Sequence, residues 1–98
     1  MKLTGKQRSH LKRLANSIKP ITQIGKSGIT ENFINQLDDA LEVRELVKIN
    51  ILETSLLDTK EAANEVARLT NAEFVQAIGN KFVIYREAKE DSQIELPK

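Results

Sequence analysis

With 98 residues the chain makes one domain, able to bury roughly 65% of the surface its unfolded form exposes, with no room for a separate catalytic domain. Cysteine is absent and His10 is the only histidine, which excludes disulfides and the usual Cys/His zinc sites and leaves only carboxylates as metal ligands. The net charge of +1 conceals a segregation: the first thirty residues hold seven basic groups and no acid, while the remainder holds eight basic and fourteen acidic groups. Such a division marks an anion-facing surface.

The opening "MKLTGKQRSH" has no apolar core of the signal-peptide kind, and the most apolar run, "ELVKINILE", is broken by Lys48 and Asn50. No signal peptide or membrane span is expected, and the reducing cytoplasm is the default compartment.

The first helix is expected over residues 5–17, where Leu11, Leu14, Ala15 and Ile18 recur at helical spacing and Thr4 with Gln7 has the form of a capping box. Pro20 then favours extended chain, and "ITQI" reads as a short strand running directly into "GKSG". Thr30 caps a second helix across "ENFINQLDDALEVR", with Phe33, Leu37, Ala40 and Leu41 as its apolar stripe. In "ELVKINILE" Val47, Ile49 and Ile51 alternate with Lys48 and Asn50, a strand with one buried and one partly solvated face.

"DTKEAANEVARLTN" opens with Asp58 and Glu61 at capping spacing and places Ala62, Val66 and Leu69 on one side, giving a third helix. "AEFVQAI" and "FVIYR" flank "GNK", a short turn, and form a hairpin. The order α-β-α-β-α-β-β predicts a two-layer α/β fold. Its crossovers make parallel strands, and the final hairpin adds one antiparallel strand to a mixed sheet. "EAKEDSQIELPK", residues 87–98, is expected to be a mobile polar tail, with Ile94 and Leu96 as weak docking points.

"QIGKSGIT" carries the candidate site. As a nucleotide-phosphate loop it fails, because the pattern G-x-x-x-x-G-K-[ST] would place Pro20 where the first glycine must stand. As a GxxG clamp it fits better. Gly25 and Gly28 allow the main chain to approach a sugar-phosphate backbone, Lys26 and Ser27 supply a cation and a hydroxyl, and the start of the second helix adds free N–H groups and the positive end of its dipole.

The first helix strengthens that reading, since Lys6, Arg8, Lys12 and Arg13 lie around the side opposite its apolar stripe, with Lys19 following. The lone His10 reads as an ordinary boundary residue, and Asp38, Asp39 and Glu42 as a solvated helix face. Phe33, Phe74, Phe82 and Tyr85 fall in core stripes or the hairpin, so base-stacking platforms are not expected, although Tyr85 or Arg86 at the hairpin's end could reach RNA.

Together "LKRLAN", "KP", "IGKSGIT", "ELVKI" and "VQAIGNKFVIYR" resemble the CRM domain, the chloroplast RNA splicing and ribosome maturation module, in its free-standing bacterial YhbY-type form. The resemblance covers about residues 2–86. It implies a CRM-type RNA-binding domain over residues 1–86 with a fold similar to the C-terminal domain of bacterial translation initiation factor three. It also implies association with ribosomal RNA or precursors of the large ribosomal subunit, and no enzymatic activity. Residues 25–28 would then be the family's GxxG loop and Lys6, Arg8, Lys12 and Arg13 its basic helix. No cofactor, small-molecule substrate or membrane contact is expected, and nothing in the residues demands a dimer. The competing expectation is a protein-interaction module that uses the acidic second and third helices on a ribonucleoprotein partner.

Overall fold

A computed structural model describes residues 2–98. Its elements are α1 (Gly5–Ala15), β1 (Thr22–Ile24), α2 (Glu31–Arg44), β2 (Leu46–Ile51), a 3-10 turn at Glu53–Ser55, α3 (Thr59–Thr70), β3 (Glu73–Ile78) and β4 (Lys81–Tyr85). Each helix starts where a local cap is available. Thr4 Oγ1 accepts the Gln7 N–H while Gln7 Oε1 accepts the Thr4 N–H, both at 3.1 Å. Thr30 Oγ1 and Asp58 Oδ2 likewise accept the N–H groups of Phe33 and Glu61. α1 stops at Ala15, two residues before the expected end, and the chain loosens through contacts to carbonyls three residues back at Asn16, Ser17 and Ile18.

The sheet order is β1-β2-β4-β3. β1 pairs with β2 in parallel, and β4 pairs antiparallel with both β2 and β3. β2 and β3 therefore run in the same direction, as the crossover through α3 requires, but β4 is inserted between them. The hairpin turn uses a positive φ at Gly79 alone.

The expected two layers are in fact three. On one face of the sheet α2 and α3 bury Val47, Ile49, Phe82 and Ile84 beneath Phe33, Leu37, Leu41, Ala62, Ala63 and Val66. On the other, α1 places Leu11 and Ala15 over Leu46, Val75, Val83 and Tyr85. The reason lies in alternation: Phe82, Val83, Ile84 and Tyr85 are all buried, and four consecutive apolar residues on a strand need cover on both faces. Leu69, expected in the stripe of α3, is 43% exposed, and its place is taken by Ala63, Ala67 and Thr70.

Residues 87–98, expected to be mobile, are tied down by one buried carboxylate. Glu45, fully buried at the C-terminus of α2, accepts hydrogen bonds from the N–H groups of Ala88 (2.9 Å), Gln93 (2.6 Å) and Ile94 (3.0 Å) and from the Ser92 hydroxyl (2.8 Å). Ile94 and Leu96 pack on the α1 cluster, as the weak docking expectation had it, and Gln7 Nε2 donates to the Pro97 carbonyl. Sequence polarity misled because much of the tail's anchoring comes from main-chain N–H groups donating to a buried acid, which side-chain composition does not reveal. Burial pushes the Glu45 carboxyl up, but the surrounding donors outweigh it and hold it below its ordinary value.

Candidate nucleic-acid interface

β1 ends at Ile24, whose carbonyl accepts the Leu52 N–H, and the chain then turns through Gly25-Lys26-Ser27-Gly28 into α2. The turn is closed by Gly28 N–H donating to the Gly25 carbonyl at 3.0 Å. Lys26 and Ser27 sit exposed at its tip.

The two glycines have different physical standing. Gly28 has φ +73°, a conformation that side chains rarely adopt, so the turn itself requires glycine there. Gly25 has no positive φ, and a Cβ built on it would meet only Leu52 Cδ1, at 3.6 Å, which is ordinary contact. Nothing in the fold demands glycine at position 25.

The loop opens on a groove lined by Gln23, Lys26, Ser27, Thr30, Asn32 and Gln36 among others, with no carboxylate in its lining. Thr30 caps Phe33, which leaves the N–H groups of Glu31 and Asn32 as first-turn donors without an acceptor among the described residues. Glu31 is exposed on the same turn but does not line the groove.

α1 lies on the far face of the sheet and toward its other end, because it packs on Leu46 and Tyr85, whereas the loop adjoins the Ile24 and Ile51 end. Its four cations separate. Stepping 100° per residue from buried Leu11 puts Arg8 and Lys12 on one flank, Gln7, His10 and Leu14 on the other, and Lys6 and Arg13 outward. Gln7 binds Pro97, and Leu14 shares a groove with Gln93 and Ile94, so the tail occupies that second flank. Arg8 and Lys12 therefore lie on the flank away from the tail. Arg8 Nε also donates to the Phe74 carbonyl at 3.3 Å. Lys19, in the link between α1 and β1, lines the groove on the tail side and is not beside the GKSG loop.

Two residues thought able to reach RNA do other work. Tyr85 is only 1% exposed and belongs to the core beneath α1. Arg86 donates to Asp38 Oδ1 (2.8 Å), the Thr70 carbonyl (2.7 Å) and the Asp38 carbonyl (2.9 Å), joining the middle of α2 to the end of α3. Of the acidic trio on α2, Asp38 is thus engaged by Arg86 and Glu42 by the N–H groups of Lys89 and Glu90.

The residues that sequence reasoning passed over are Lys48 and Lys81. Each stands apart from the basic segment in the chain, so charge density along the sequence gave no signal. Strand alternation did give one, because it placed Lys48 and Asn50 on the face away from Val47 and Ile49.

Among the described residues no group of three or more His, Cys, Asp or Glu side chains is placed to hold a metal ion, and no helix is long and apolar enough to cross a membrane.

The fold and this exposed loop define a small α/β module with a strand-to-helix GxxG turn. Residues 3–86 match the family model of the CRS1 / YhbY (CRM) domain, and the chain belongs to that family. It is 43% identical over 95 residues to YqeI of Bacillus subtilis, which bears the name probable RNA-binding protein, with 97% of this chain and 99% of that one covered. It is 33% identical over 96 residues to an RNA-binding protein of Haemophilus influenzae, with 98% and 96% covered. The solution structure of SAV1595 from Staphylococcus aureus matches with a TM-score of 0.82 at 53% identity, covering 98% of this chain and 100% of that one.

Proposed function

We propose that this protein is a non-enzymatic, monomeric RNA-binding protein of the cytoplasm that binds ribosomal RNA, or precursor particles of the large ribosomal subunit, during ribosome assembly. The observation that carries the reading is Gly25, whose lack of a side chain serves no packing or backbone need, beside exposed Lys26 and Ser27 in a groove free of carboxylates. A residue kept small without an internal reason fits close approach by an external backbone. The names of the B. subtilis and H. influenzae relatives support RNA as the partner class.

In this mechanism the cations of the N-terminal segment, Lys6, Arg8, Lys12, Arg13 and Lys19, draw in the phosphate backbone. The GKSG turn then grips it locally through Lys26, the Ser27 hydroxyl and the main-chain donors at the start of α2. With about four phosphates neutralised, log affinity falls with log salt at a slope of roughly −3.

The test compares the wild type with Lys26→Glu for affinity to a folded fragment of large-subunit ribosomal RNA, in parallel salt titrations and with folding checked for both. Weaker binding and a shallower slope are expected. Unchanged tight binding would reduce the loop to a structural turn, and no binding by either protein would overturn the RNA reading.

A further inference from the structure

α1 covers only half of its face of the sheet. It shelters Leu46, Val83 and Tyr85, and beyond them the same face continues uncovered toward the GKSG end. Cross-strand register puts Gln23, Asn50 and Lys81 side by side in one row across β1, β2 and β4. At the usual strand spacing this row spans roughly 10 Å. Lys48 stands two residues from Asn50 on the same strand and face.

Three features separate this area from an ordinary solvated face. Its charge is of one sign: Glu73, the only carboxylate on the four strands, lies at the far end beside Tyr85. It is recessed, because Gln23, Asn50 and Lys81 line a depression with Pro20, Ile21 and Thr22. Asn50 also brings to it a buried side-chain Oδ1 that has no hydrogen-bond partner among the described residues. Donors of the kind that acceptor lacks, exocyclic amino groups and 2′-hydroxyls, are what an RNA strand carries. The depression and the groove of the GKSG loop share Thr22 and Gln23 of edge strand β1, so the two adjoin across that strand.

We infer that the uncovered half of this sheet face is a second RNA-contact surface, in which Lys48 and Lys81 hold the sugar-phosphate backbone and Gln23 and Asn50 hydrogen-bond a nucleotide. It adjoins the loop's groove across β1, so that a strand gripped at GKSG continues over that edge of the sheet instead of leaving into solvent. The inference rests on the RNA-binding reading above but not on the loop's own part in it.

The experiment measures affinity for in vitro transcribed large-subunit ribosomal RNA with Lys48→Gln/Lys81→Gln, Lys48→Arg/Lys81→Arg and Lys26→Gln beside the wild type, each checked for an unchanged melting temperature. The double glutamine variant should bind about tenfold more weakly with a salt slope shallower by about 1.4, and the double arginine variant should bind as the wild type does. Lys81→Gln alone, at an exposed position, should show part of the loss and guards against a folding defect from half-buried Lys48. Wild-type affinity in the double glutamine variant together with weak binding by Lys26→Gln would overturn the sheet contact and leave the loop. The reverse pattern would support the sheet contact and remove the loop from the mechanism. Wild-type affinity in both variants would overturn both contacts.

Discussion

The carboxylate of Glu45 accepts the main-chain N–H of Gln93 at 2.6 Å, across a separation of 48 residues. Glu45 itself has φ 64° and ψ −42°, a strained conformation for a residue with a side chain, and its N–H caps α2 by donating to Leu41 O. The surrounding donors hold that conformation in place, which makes this residue the anchor of the C-terminal segment.

Glu45→Ala should lower stability by about 2–4 kcal/mol, because several hydrogen bonds to a buried charge are lost together. Urea unfolding measures the loss, and hydrogen exchange should show protection vanishing first at Ala88, Gln93 and Ile94. The carboxyl is held below its ordinary value of 4.5, so the contribution is complete above about pH 4.5 and is lost as pH falls through the lower folded value. Protection factors at these amides, each taken against the intrinsic exchange rate at the same pH, that stay constant from neutral pH into the acid transition would contradict the anchor.

Arg86→Lys should behave as a damaging substitution despite its retained charge. The guanidinium spans the Asp38 side chain and the carbonyls of Asp38 and Thr70 at once, and a single ammonium cannot reproduce that fork. A loss of about 1–3 kcal/mol is expected by chemical denaturation, with RNA affinity of the folded fraction unchanged. A selective drop in affinity without loss of stability would return Arg86 to the interface.

The two loop glycines should part company. Gly28→Ala forces a side chain into φ +73° and should cost about 1–2 kcal/mol of stability. Gly25→Ala should leave stability within about 0.5 kcal/mol while weakening RNA binding, since its Cβ meets ordinary contact inside the fold but stands in the way of an approaching backbone. Equal stability losses with no effect on binding would make both residues turn glycines and nothing more.

Tyr85 should titrate late. Burial, then the charges of Glu45 and Glu87, push its phenol up to about 12. Because the folded value is raised above the ordinary 10.0, the contribution is complete below about pH 10 and is lost as pH rises through 12. Tyrosinate absorbance in a pH titration should therefore rise with loss of the fold, and an ordinary titration near pH 10 in the folded protein would contradict its burial.

Much of the architecture was legible from local rules. Thr4 with Gln7, Thr30 and Asp58 announce their helices because a cap is a contact between residues three apart, and Val47, Ile49 and Ile51 announce a strand because alternation is a property of the backbone. The Gly25 to Gly28 turn was visible for the same reason. What failed involved partners distant in the chain. Leu46 needed α1 above it to show that the sheet is covered on both faces, and residues 87–98 looked unanchored because no run of nearby residues reveals that a buried glutamate waits for their N–H groups.

By itself, then, the sequence determined the elements, their order and the basic character of the first thirty residues, all of which follow from spacing and composition along the chain. Only the tertiary structure decided which cations meet. It divided the α1 cluster by placing the tail on one flank, committed Arg86 to Asp38, and set Lys48 and Lys81, from separate strands, on one face of the sheet. Charge density can be read along one dimension, but a binding surface is made by which residues the sheet sets side by side.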